Sequence, residues 1–348
     1  MVCALYGSGF APFESKLLSY GEYMSAAKKS GLSRRGFLKS VGIGGASALI
    51  PGTVRAAQKG EELATLLDLS KCIGCGECVY ACRDVNADRY PEPKKPFPVM
   101  HPEKRVKVED WSDRRDVDDR LTPYNWLYIQ TAEVEHEGKS HTVHVPRRCM
   151  HCRNAPCANL CPFGACGTDE RGITFINDKV CLGGAKCRSV CPWDIPQRQS
   201  GVGLYRSLMP GFAGNGVMYK CDRCRERIAD GKTPGCIEVC PVQVQTIGPR
   251  REILRRAEAL AEKTGGFLYG ADENGGTNTF YVSPVPFELL NDAVEKGKGR
   301  PHLGPVKDLM EDENALATAT LLAPVAGIAA GMLGLGSALF GLEEDNEG

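Results

Sequence analysis

Apolar positions recur with a regular period at only a few places along the chain. Ile253, Leu254, Ala257, Leu260 and Ala261 share one stripe of the run from Arg250 to Lys263, which predicts an amphipathic helix. Trp126-Leu-Tyr-Ile-Gln-Thr and His141-Thr-Val-His-Val stand either side of the turn-like Glu137-Gly138-Lys139 and predict a β-hairpin. Asn274-Gly275-Gly276 followed by Phe280-Tyr281-Val282 predicts a turn and a short strand. The charge-rich run Glu109 to Arg120 predicts a solvated face. Ala315 to Leu342 carries no charge at all, and it exceeds the roughly 20 residues that cross a bilayer. That stretch predicts a C-terminal anchor, and Gly327 and Gly331, four apart, would let it pack closely on another membrane helix. Its flanks are acidic on both sides, so they give no orientation.

Composition narrows the class. The 43 basic and 43 acidic residues cancel, which leaves no case for a nucleic-acid surface. Forty glycines and 22 prolines predict a loop-rich fold. There is no phosphate-binding glycine loop, no haem-attachment C-x-x-C-H and no nucleophile triad at a telling spacing.

The cysteines carry the chemistry. Of the seventeen, all but Cys3 and Cys166 fall into four groups: Cys72, Cys75, Cys78, Cys82; Cys149, Cys152, Cys157, Cys161; Cys181, Cys187, Cys191; and Cys221, Cys224, Cys236, Cys240. Short spacings ending in C-P, with Pro162, Pro192 and Pro241 in place, are the ferredoxin pattern. Zinc ribbons need two C-x2-C pairs per metal and make no use of a third close cysteine followed by C-P. A disulfide framework suits small secreted domains, and this chain is long enough for an ordinary core. His151, between Cys149 and Cys152, is expected beside the ligands or at the surface, because cysteines already fill the ligand roles there. The other five histidines show no metal spacing.

In ferredoxins the last cysteine of each run serves the neighbouring cluster. Nesting the groups on that rule gives Cys72, Cys75 and Cys78 completed by Cys240. It gives Cys221, Cys224 and Cys236 completed by Cys82, and Cys149, Cys152 and Cys157 completed by Cys191. The remaining set holds only Cys181, Cys187 and Cys161, because Gly184 stands where a regular run would place its second cysteine. A 3Fe-4S cluster is the favoured outcome there. Cys166 as substitute ligand, a solvent-ligated cubane and an empty site stay open.

Ser33-Arg34-Arg35-Gly36-Phe37-Leu38-Lys39 followed by the mildly apolar Val41 to Ile50 is a twin-arginine export signal. Val54 and Ala56 suit cleavage after Ala56, and Met24 would begin a leader of more ordinary length. The expected organisation is a leader over 1–56, a cluster domain over 57–290 with an insertion at 83–148, a linker over 291–314, an anchor over 315–342 and an acidic tail over 343–348. The expected fold is α+β, with two intertwined ferredoxin-like halves and one transmembrane helix.

The four groups, the leader and the anchor together resemble the periplasmic four-cluster iron-sulfur subunits of membrane oxidoreductases. That group includes the iron-sulfur subunit of hydrogenase 2, the beta subunit of respiratory formate dehydrogenase, and the corresponding subunit of the high-molecular-weight cytochrome c complex. The likeness covers about residues 65 to 285 and both ends. It implies an electron-transfer subunit that makes no bond-changing chemistry of its own. Three 4Fe-4S clusters and one 3Fe-4S or fourth 4Fe-4S cluster would lie between a periplasmic partner and an integral membrane quinone-reactive subunit. The periplasmic partner is a hydrogenase, a formate dehydrogenase, a molybdenum enzyme or a multihaem cytochrome c. Gly184 departs from the all-cubane members. A catalytic reductase using an open iron, and a redox sensor, are the rival classes.

Overall fold

The computed structural model describes residues 61–99, 107–208, 210–211 and 214–311. The twin-arginine segment, the cleavage site, the anchor at 315–342 and the acidic tail lie outside them. Among the described residues no helix is long and apolar enough to cross a membrane.

Strand β1 (Leu63–Asp68) is buried at all six positions, the mark of a strand covered on both faces. Helix α1 (Glu77–Val85) follows the first cysteines. Next come β2 (Tyr128–His136) and β3 (Lys139–Arg147), joined by Glu137 and Gly138. Both turn residues have positive φ, 51° and 73°, as a two-residue hairpin turn matched to strand twist requires. The second and third cysteine groups run through α2 (Pro156–Asn159), β4 (Cys166–Thr168), β5 (Thr174–Ile176) and α3 (Lys186–Ser189). Then come β6 (Gln197–Gln199), β7 (Val217–Tyr219), α4 (Arg225–Ala229) and α5 (Gly235–Glu238). The described chain finishes with β8 (Gln245–Pro249), α6 (Arg250–Thr264), β9 (Phe267–Tyr269), β10 (Thr279–Ser283) and α7 (Phe287–Ala293).

The main sheet has the order β8-β1-β10-β9, with β1 parallel to β10 and antiparallel to β8. The strand before the first cysteine group therefore pairs with the strand after the fourth. Hairpin β4–β5 joins the second group to the third, and β6 pairs with β7 between the third and the fourth. The predicted helix is α6: Ile253 and Ala257 pack on Ala64, Leu66, Phe280 and Val282, with Leu254, Leu260 and Ala261 at the margin.

The segment 83–148 enters the core through its hairpin, since Trp126, Leu127, Tyr128, Val143 and Val145 are buried in one cluster with the cysteines. One expectation needs correction: the run from Glu109 is not uniformly solvated. Trp111 is 7% exposed, and the Glu109 carboxylate meets Arg188 and Arg198, each at 2.7 Å. The polar strand β6 explains this. Its Gln199 accepts from the Trp111 N–H at 2.8 Å, and its Arg198 needs an anion.

Candidate iron-sulfur centre

The four cysteine groups share one turn. The residue two positions after the first cysteine has positive φ in every group: Gly74 (68°), His151 (51°), Gly183 (68°) and Arg223 (57°). Glycine adopts this conformation freely, whereas histidine and arginine need outside support. His151 has it from the Thr174 N–H, which donates to Nδ1 at 3.1 Å. Arg223 has it from the carbonyl of Asn278 and the hydroxyl of Thr279, at 2.7 and 3.0 Å. A short helix then carries the third cysteine: Cys78 in α1, Cys157 in α2, Cys187 in α3 and Cys236 in α5. Cys82 stays within α1, whereas Cys161, Cys191 and Cys240 lie just past their helices, where the following proline ends the helical run.

This geometry gathers cysteines from different groups. Cys72, Cys75, Cys78 and Cys240 line one cavity, and Cys82, Cys221, Cys224 and Cys236 line another. Cys191 is held far above the ordinary thiol range by burial and by Cys157, Cys152 and Cys149 around it. Cys187 is pushed up to about 12 by burial, then by Cys181, Cys157 and Cys161. Cys166 begins β4, buried, beside Cys157. None of the described cysteines is in a disulfide. No three His, Cys, Asp or Glu side chains among the described residues close round a single metal ion. The first and last groups stand instead round the two cavities named above.

Neighbouring sets also feel one another. Burial pushes Cys78 up to about 12, and Cys236 of the next set adds to the rise. Burial pushes Cys221 up to about 11, with Cys149 among its neighbours, and Cys157 acts in the same way on Cys187. Helix α1 carries Cys78 and Cys82 into adjacent cavities, Arg148 and Lys220 bridge the Cys221 and Cys149 sets, and Cys157 and Cys161 lie one turn apart, so the four sets follow one another as a row: the Cys72 set, the Cys221 set, the Cys149 set and the Cys181 set. Cys75 is exposed at one end and Gly184 at the other.

The space between the middle sets is cationic. Arg148 donates from Nη1 to Cys236 Sγ at 2.9 Å, and its Nη2, also buried, has no protein partner. Lys220 donates from Nζ to the Thr174 carbonyl at 2.6 Å and to Cys149 Sγ at 3.5 Å. Burial works against the charge of both, yet the surrounding thiolates, Cys236 for Arg148 and Cys149 for Lys220, hold them above their ordinary values. Arg223 instead falls to about 10, through burial and the charge of Arg148. Among the described residues, Arg148, Lys220 and Arg223 have no carboxylate within ion-pair reach. Buried cations without anions are costly. Backbone N–H groups also aim at sulfur: Arg223 at Cys221 and Val244 at Cys240, both 3.3 Å, and Met218 at Cys181, 3.5 Å. Thiolates, unmatched cations and N–H donors together fit an anionic iron-sulfur group.

Comparison with known proteins leads to the same chemistry. Residues 71–165 and 140–250 each match a 4Fe-4S dicluster domain. A protein of Nitratidesulfovibrio vulgaris Hildenborough is 31% identical over 278 residues, 76% of this chain and 68% of its own length. The Escherichia coli K12 formate dehydrogenase-O iron-sulfur subunit is 30% identical over 229 residues, 64% of this chain and 67% of its own. The hydrogenase-2 operon protein HybA of Escherichia coli O157:H7 is 28% identical over 301 residues, 75% of this chain and 83% of its own. The chain belongs to the ferredoxin-type iron-sulfur subunits of oxidoreductases.

It is an electron-transfer subunit and not a catalytic one, and its two dicluster domains call for four iron-sulfur clusters. Within this iron-sulfur subunit the third cysteine group keeps its turn although Gly184 replaces a cysteine. Arg198 donates to the Gly183 carbonyl at 3.0 Å, and Glu109 holds Arg198 and Arg188 together. Although burial pushes the Glu109 carboxyl up, hydrogen bonds from Arg188 and Lys298 prevail and hold it at about 2. The sequence pattern does not single out Arg148, Lys220 or Arg198, and it places Glu109 on a solvated face. A basic residue directly precedes the first cysteine of the first, second and fourth groups, and Lys71 of the first is exposed and paired with Asp68, so sequence position alone does not mark the buried pair.

Proposed function

We propose that this subunit relays single electrons through three 4Fe-4S clusters and one 3Fe-4S cluster. The relay joins a periplasmic redox subunit or cytochrome c to a quinone-reactive subunit in the membrane. The bound clusters would supply one-electron redox centres. Cys72, Cys75, Cys78 and Cys240 would hold the first. Cys221, Cys224, Cys236 and Cys82 would hold the second, Cys149, Cys152, Cys157 and Cys191 the third, and Cys181, Cys187 and Cys161 the fourth. The row of four sets, reaching solvent at Cys75 and at Gly184, is the observation that carries this reading. A relay needs both ends open to partners and its middle closed to water. The relatives' names supply the partner classes: hydrogenase 2, formate dehydrogenase and anaerobic dimethyl sulfoxide reductase. A multihaem cytochrome c is the remaining class.

The subunit is proposed to leave the cytoplasm fully folded through Arg34 and Arg35, and to be held at the periplasmic face by 315–342. Changing both arginines to lysine should leave the protein in the cytoplasm, and truncation after Asn314 should release it from membranes. The deciding experiment is low-temperature electron paramagnetic resonance on anaerobically purified protein. A near-isotropic signal in the oxidised sample, replaced on reduction by broad coupled signals, is expected. Coupled reduced spectra without the oxidised signal would replace the 3Fe-4S assignment by a complete cubane or an empty site. No cluster signal in either state would overturn the relay.

A further inference from the structure

Arg148 and Lys220 are related by exchange. Arg148 precedes Cys149 of one middle set and donates to Cys236 Sγ of the other, at 2.9 Å. Lys220 precedes Cys221 of that other set and donates back to Cys149 Sγ, at 3.5 Å. Each cation is thus tied by backbone to one set and by hydrogen bond to its neighbour. Both are buried, at 3% and 5% exposure, and no carboxylate among the described residues neutralises either. Thr174 fixes the ammonium: its carbonyl and hydroxyl accept at 2.6 and 3.1 Å, and the Cys221 carbonyl accepts at 3.2 Å.

Adding an electron to a cluster adds negative charge to its thiolate shell. A cation held at contact distance in a poorly screened interior favours that reduced form, and hydrogen bonds to sulfur act in the same sense. A cation touching one set would tune one centre. Two exchanged cations act on both.

We propose that Arg148 and Lys220 are positioning residues that form a shared cationic layer between the two middle clusters. They raise both reduction potentials together and make these two sites the electron-holding part of the relay. This rests on the cluster ligation proposed above. At the end sites neither residue hydrogen-bonds to a cysteine, and Arg148 reaches Cys78 and Lys220 reaches Cys187 only through space, so the effect there is smaller.

The test is a redox titration of the whole protein, followed by electron paramagnetic resonance, with iron content measured alongside. The neutral variants are Lys220→Met and Arg148→Gln, and the charge-keeping controls are Lys220→Arg and Arg148→Lys. Either neutral variant should lower two of the four potentials, each by at least a tenfold change in the reduction equilibrium, about 59 mV for one electron. The other two potentials should move by clearly less, and the charge-keeping variants should stay within threefold of wild type. Unchanged potentials in the neutral variants, a shift confined to one centre, or equal shifts in the charge-keeping variants would overturn the proposal. Loss of iron in the neutral variants but not in the charge-keeping ones supports it. Loss in all four would make the role steric and overturn it. Absence of clusters from the wild type would instead defeat the ligation reading.

Discussion

Gly184 faces Phe163: a Cβ added at Gly184 would meet only the Phe163 ring, at 3.8 Å. The backbone there lies outside the left-handed region that excludes side chains, and the position is exposed. The neighbouring Gly183 is the opposite case, since its Cβ would run into the Gly216 carbonyl at 2.5 Å. The missing cysteine is therefore not imposed by crowding.

Gly184→Cys should accordingly fold and complete a four-thiolate set with Cys181, Cys187 and Cys161. The expected result is about one iron atom more per chain and loss of the near-isotropic oxidised signal. Iron analysis and electron paramagnetic resonance of the oxidised protein read both. An unchanged oxidised signal would mean that position 184 does not face the cluster.

Cys78 and Cys82 sit one turn apart on α1 yet line different cavities. Cys82→Ala should alter the same spectral component as Cys224→Ala, and the double variant should add little, because both remove ligands from one cluster. Cys78→Ala should alter a different component, shared with Cys240→Ala. Coincident lesions from Cys78→Ala and Cys82→Ala would refute this pairing.

Most of this site was legible because ligand spacing is a local property. The distance from Cys236 to Cys240 or from Cys157 to Cys161 is set by one helical turn, and proline after the last cysteine ends that turn, so the sequence displays the motif whole. The hairpin at Glu137 and the stripe of α6 were legible for the same reason. Glu109 was not. Its partners Arg188, Arg198 and Lys298 lie far along the chain, and a charge that looks solvated in sequence is covered by a segment pairing with β6. Arg148 and Lys220 look like ordinary basic residues until the fold brings each against the other's cysteine group.

Glu109→Gln should weaken the protein by about 2 to 3 kcal/mol at neutral pH. That is less than a fully enclosed ion pair would lose, because the Lys298 ammonium stays about half in water. The native carboxyl, at about 2, lies below its ordinary 4.5. Its contribution is therefore complete above about 4.5 and is lost as pH falls toward about 2. The urea midpoints of wild type and Glu109→Gln should differ at pH 7 and converge on acidification. A constant gap would assign the stability to packing instead of charge.

Iron removal tests whether the buried cations depend on the clusters. Arg148, Lys220 and Arg223 share a core with Cys149, Cys221 and Cys236, and among the described residues only thiolates offset them. Without iron the most deeply buried thiols nearby sit above their ordinary values and take up protons: burial pushes Cys221 up to about 11 and Cys224 up to about 12, and holds Cys82 and Cys191 far up. Chelation under reducing conditions should then leave three buried positive charges uncompensated. The expected outcome is loss of several kcal/mol of stability, seen as loss of the single cooperative thermal transition and rapid proteolysis between β1 and β8. The main sheet should open first, because Arg223 joins β1 and β10 through the Leu63 carbonyl and the Thr279 hydroxyl. Adding Lys220→Met should partly restore the apoprotein while lowering the potentials of the loaded form. An apoprotein as stable as the loaded one would show that the core tolerates its cations without the clusters.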